Sequence, residues 1–135
     1  MKTIHLDDIE ASTVDGTRWK PIRSTLGIES FGINAYVAER AGDVLFNEHD
    51  ETEPLAGRQR HQELYVVLEG RATFTVDGEE LDAPAGTLVF VDQPASRRAA
   101  SGAGPHTTVL AIGGPVGEPY EPAPWEKLFL TKRSA

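Results

Sequence analysis

The chain has 135 residues, no cysteine and a formal net charge of −8. That length suits one domain with one core, and the acidic balance argues against a general nucleic-acid binder, which needs a basic face. Disulfides and thiolate ligands are excluded, and no run approaches the roughly 20 apolar residues of a membrane span. The first ten residues lack the apolar segment of a signal peptide, so a cytoplasmic setting without nucleic-acid or membrane partners is expected.

Residues 1–16 are polar and irregular, with Asp15-Gly16 as a turn signal; they are expected to form a flexible arm or an edge strand. Trp19, Ile22 and Leu26 recur irregularly around Pro21, which demotes their segment to an edge strand or a covering loop. Residues 33–39 and 44–47 read as strands on either side of Ala41-Gly42-Asp43. Residues 50–60 are polar and contain Pro54 and Gly57, a loop longer than an ordinary hairpin connection. Arg58, Arg60, Arg97 and Arg98 could form a local positive patch.

The densest strand signal lies in residues 61–92. Residues 64–68 are apolar on both faces, which predicts a short strand buried on each side. Beyond Gly70, Ala72, Phe74 and Val76 alternate with Arg71, Thr73 and Thr75, the pattern of a half-buried strand. Asp77-Gly78 favours a two-residue hairpin turn. Pro84-Ala85-Gly86 makes the next corner, before a strand over 87–91. Residues 97–100 and 107–112 are further strands, joined through the turn at 101–105. A tail at 116–135 follows, with Pro119, Pro122 and Pro124 holding it extended and one or two helical turns expected over 125–130. The organisation read from these signals is an arm (1–16), a β-barrel (17–115) and a Pro-rich tail (116–135). Small barrels must cover or pair their edge strands, so a homodimer is expected, with the segments around Trp19 and Trp125 crossing or covering the barrel.

Glu63 followed after six residues by Gly70 resembles the second half of the first cupin motif. Pro84-Ala85-Gly86 with the apolar run 88–91 resembles the opening of the second. The resemblance spans residues 41–112 and implies an all-β, antiparallel jelly-roll barrel that binds a small molecule in its mouth. A metal-binding cupin is expected to supply two histidines, a glutamate and a third histidine from neighbouring strands. Here Gly42 leads to His49-Asp50-Glu51, so Glu51 stands at the second histidine position, and the glutamate position falls on Glu63. In the second motif the histidine position falls on Arg97 and the asparagine position on Ser101. A guanidinium has no lone pair to give a metal.

The expectation is therefore a degenerate metal site that binds a small, anionic ligand. Its residues are His49, Glu51, His61, Glu63, Tyr65 and Arg97, with Arg97 turned inward onto Glu63 and Arg98 at the surface. No cofactor is favoured. If a divalent metal binds, the N/O set is His49, Glu51, His61 and Glu63, serving an oxygenase or isomerase. A third reading is a metal-free isomerase or cyclase with His61 or Glu63 as general base.

Overall fold

Asp77 and Gly78 both take left-handed backbone, at φ 49° and 80°, as a two-residue hairpin between twisted strands requires. The computed structural model that contains this turn describes residues 1–14, 16–52, 59–124 and 126. A 3-10 turn (Leu6–Asp8), ten strands and one short α-helix follow one another among those residues. They are β1 (Ser12–Val14), β2 (Thr17–Lys20), α1 (Ile22–Leu26), β3 (Gly32–Ala38), β4 (Val44–His49) and β5 (His61–Glu69). Then come β6 (Arg71–Val76), β7 (Glu79–Pro84), β8 (Leu88–Val91), β9 (Arg98–Gly102) and β10 (Thr107–Pro115).

The strands form two antiparallel sheets, ordered β1-β2-β3-β10-β5-β8 and β4-β9-β6-β7. From β3 to β6 the chain alternates between the sheets, and β8, β9 and β10 alternate again. This is the jelly-roll arrangement, with little helix, that the motifs imply. Between the sheets lies one core, in which Leu45, Phe46, Tyr65, Val67, Phe74 and Val109 are central. Phe46 stacks on Tyr65 with ring centres 4.9 Å apart, a contact beyond simple area burial. At Gly70, φ is 74°, and a Cβ there would come within 2.6 Å of Thr107 Oγ1. Only glycine lets β5 turn into β6 so close to β10.

Of the two alternatives for residues 1–16, the edge strand is present as β1. Two other expectations need adjustment. The segment around Pro21 divides: Trp19 is buried on β2, whereas Ile22–Leu26 forms a helix ended by Gly27 in left-handed conformation. Proline is well tolerated at a helix start, where its missing N–H has no partner to lose. The helix lays Ile22 and Leu26 with Leu6 and Ile9 over Ala35, Ile33 and Leu110, a second small core outside the six-stranded sheet. Finally, β5 is not buried on both sides within this chain. Tyr65 and Val67 enter the core, but Leu68 is 47% exposed on the opposite face. The expected helical turns at 125–130, and Arg58, lie outside the described residues apart from residue 126.

Candidate functional site

Strand periodicity brings the site residues together. His61, Glu63 and Tyr65 are two apart on β5 and so share its inward face. His49 ends β4, and its register partner on β9 is Arg98. Glu51 follows in the next turn, where its N–H donates to the Pro94 carbonyl at 2.8 Å and its side chain is buried. Pairing between the sheets' strands thus sets two carboxylates, an imidazole, a phenol and a guanidinium at one end of the core.

Arg98 is 0% exposed. Its Nη1 donates to Glu63 Oε1 at 3.1 Å and lies 3.8 Å from Glu51 Oε1, while Nη2 donates to the Gln93 carbonyl at 3.3 Å. The Tyr65 hydroxyl donates to the same Glu63 oxygen at 2.5 Å. His49 donates through Nδ1 to the Asn47 carbonyl at 2.7 Å, and its Nε2 stands 3.0 Å from Glu51 Oε1. Because the carbonyl can only accept, Nδ1 carries a proton and Nε2 is the nitrogen turned toward the carboxylates.

The electrostatics follow from crowding. Burial and the charge of Glu51 push Glu63 up to about 7, against the opposing pull of the Tyr65 hydrogen bond, Arg98 and His49. His49 is lowered by burial, but its bonds to Glu51 and the Asn47 carbonyl, with the charges of Glu51 and Glu63, outweigh that and leave it raised. Burial, with the Glu63 charge and hydrogen bond, holds the Tyr65 phenol well above its ordinary value. Glu63 is therefore a carboxyl group that can both give and take a proton near neutral pH.

Arg97 does not take the place expected of it. Its side chain is 51% exposed and lies 3.6 Å from Glu48 and 3.7 Å from Asp50, outside the cavity. The inward arginine is its neighbour Arg98, which the sequence reading assigned to the surface. Two adjacent strand residues point opposite ways, so a one-residue difference in phase exchanges them. Gly102 carried the phase: it faces inward against Ala38, where a Cβ would stand 2.9 Å from that residue's own. Counting back in twos from Gly102 reaches Ala100 and Arg98.

A cavity of about 110 Å³ opens beside this cluster, lined by Asn34, Tyr36, His49, Glu51, His61 and Glu63, with Tyr120 and Glu126 from the tail. His61 therefore lines the cavity, with its ring 5.6 Å from that of Tyr120. The sequence pointed to a tail that crosses or covers the barrel but not to its residues lining this cavity. Gln59 holds it by donating to the Pro119 carbonyl at 2.7 Å and accepting from the Glu121 N–H at 2.7 Å. Glu126 is buried on Arg23 of α1 at 3.1 Å. Tyr120 packs so closely over Gly32 that a Cβ there would lie 2.9 Å from its hydroxyl.

His49, Glu51 and Glu63 could hold a metal ion, since each offers one ligand atom and these atoms lie within 4.8 Å of one another. The donor chemistry fits a divalent first-row ion, and an imidazole anchored through its other nitrogen is the usual posture of a ligating histidine. The charge balance does not demand one, because Arg98 already supplies a buried cation to both carboxylates.

No family model matches the chain, and no curated protein matches it either. Solved structures do. KdgF from Halomonas superposes with a TM-score of 0.62 at 14% identity, covering 84% of this chain and 92% of its own. A cupin protein from Bacteroides fragilis gives 0.56 at 21% identity, covering 84% and 92%. Pac13, a nucleoside dehydratase, gives 0.59 at 20% identity, covering 83% and 81%. The chain has the cupin fold, as its two motif fragments implied.

Proposed function

We propose that this chain is a small-molecule-binding cupin in which a buried arginine stands where a metal would otherwise sit. The observation that carries the reading is Arg98, fully buried and 3.1 Å from Glu63. A buried carboxylate pair needs a compensating cation, and the guanidinium provides it without a coordination site. Arg97, the reason to expect an anionic ligand, points away from the cavity. The groups facing the cavity are the carboxylates of Glu51 and Glu63, that of Glu126 held by Arg23, two imidazoles, the Asn34 amide and the rings of Tyr36 and Tyr120. That lining suits a small neutral molecule with hydroxyl donors for Glu51 and Glu63 and a flat or apolar face for the tyrosines. An enzyme among the neighbours, the nucleoside dehydratase Pac13, supports a catalytic version of this reading. Glu63 and His49 would then move a proton on the bound ligand, with Tyr65 and Arg98 fixing the carboxyl group.

The test is a thermal-shift and NMR titration with neutral monosaccharides, nucleosides and small polyols. A binder should perturb Tyr36, His49 and Tyr120 resonances in the wild type and fail to do so in Glu63→Gln. Binding only by organic anions, undiminished in Glu63→Gln, would overturn the reading. A second reading, a metal-dependent oxygenase or isomerase, rests on the His49, Glu51 and Glu63 donors lying within 4.8 Å of one another.

A further inference from the structure

The two sheets present different outer faces. On the four-stranded sheet, Phe74 and Ala72 point into the core, so Arg71, Thr73 and Thr75 of β6 point out. Arg71 pairs there with Asp82 of β7, diagonally to its register partner Pro84. This is the polar, ion-paired surface expected of a sheet in water.

The six-stranded sheet is different. Tyr65, Val67, Val89 and Val91 face the core, which leaves Gln62, Leu64, Val66 and Leu68 of β5 and Leu88 and Phe90 of β8 on the outside. None of the six is charged, in a chain where 25% of residues are. Leu64 is registered against Phe90 and Val66 against Leu88, so the apolar groups form one continuous patch. Leu88 and Phe90 are 63% and 59% exposed. On the same face, the region over β3 and Leu110 is covered by Leu6, Ile9, Ile22 and Leu26 of the N-terminal segment. Among the described residues, this cover ends where β5 and β8 begin.

We infer that a second copy of this chain packs face to face on the outer surface of β5 and β8. The exposed area of these side chains is on the order of 400 Å² per copy, large for a patch on a monomer and enough for the apolar centre of a standard-size interface. Charge selects the occupant. A twofold contact presses each patch onto its own copy, and between two chains of net charge −8 an uncharged face is where contact adds no local like-charge repulsion. The uncharged patch is self-complementary, whereas a basic partner would be met by acidic groups, which the six outward residues do not offer. Packed sheets about 10 Å apart would bury Leu68, Leu88 and Phe90 on both copies. The second copy also supplies the outer burial that the two-sided apolar pattern of residues 64–68 predicts.

The measurement is light scattering after size exclusion at tens of micromolar, on the wild type, Leu88→Lys, Phe90→Glu and the milder Phe90→Ser. The wild type should have twice the 14.7 kDa mass of one chain. Leu88→Lys and Phe90→Glu should run as single chains with an unchanged circular-dichroism spectrum. Phe90→Ser should raise the dimer dissociation constant at least about thirtyfold. Thr75→Glu, on the outer face of the other sheet, should remain dimeric. A monomeric wild type, a dimer that survives both charged variants, or a dimer broken equally by Thr75→Glu would overturn the inference.

Discussion

Arg98 and Glu63 meet at 3.1 Å across the two sheets, one from the start of β9 and one from β5. The guanidinium is wholly enclosed, and the carboxyl oxygen it touches also accepts from Tyr65. Burying a charge is costly unless it is paired and hydrogen-bonded, so each partner is tolerable only because of the other. Arg98→Ala should cost about 3–5 kcal/mol by urea unfolding, the range for stranding a buried charge. The loss should shrink when Glu63→Gln is already present, a coupling of at least about 1 kcal/mol. Arg97→Ala, at a half-exposed pair, should cost no more than about 1 kcal/mol. Equal effects at positions 97 and 98 would contradict the assignment.

Stability should depend on pH through Glu63. The carboxyl group is raised from 4.5 to about 7 by burial and by Glu51. Between those values the folded state holds a proton that the unfolded state has released. The stabilisation is therefore complete below about pH 4.5 and lost as the pH rises through about 7. His49 adds to the same trend, since its raised value contributes stability below 6.5 that disappears as the pH climbs through it. Unfolding free energies should fall from mildly acidic to mildly alkaline pH by on the order of 3 kcal/mol. In Glu63→Gln most of that slope should vanish; an unchanged slope would remove Glu63 as its source.

The tail should behave as part of the folded unit. Glu126 and Arg23 are both buried and 3.1 Å apart, so Glu126→Ala should destabilise by about 3–5 kcal/mol. Replacing both by apolar residues, Arg23→Met with Glu126→Leu, should recover much of the loss. In Glu126→Ala, tyrosine resonances should also shift, because Tyr120 packs on Gly32 and His61 beside the same cavity. No change in either observable would mean that the tail is not held by this pair.

Much of this arrangement was legible in the sequence for a simple reason. Asp77-Gly78 has one low-cost backbone solution, and side chains two apart on a strand share a face. The hairpin and the inward set His61, Glu63 and Tyr65 follow directly. The phase of β9 did not. Counting from Gly86 crosses an irregular connection, and an error of one residue exchanges Arg97 for Arg98. Small residues at 99–102 give no apolar alternation to correct it. Helix α1 was hidden because its one i, i+4 pair, Ile22 and Leu26, is too short a run after a proline to set a helical period. The tail's hold on Gln59 and Arg23 joins residues 60 and more positions apart, a relation that no local pattern encodes.

The central claim is that a guanidinium, not a metal, balances the carboxylates of this site. Elemental analysis of protein purified without a chelating column tests it most directly, after dialysis against zinc, manganese or iron(II) and then against metal-free buffer. The account expects metal well below one equivalent per chain in the wild type, and an increase in Arg98→Met, where the competing cation is gone. One tightly held equivalent in the wild type, lost in both His49→Ala and Glu63→Gln, would contradict it.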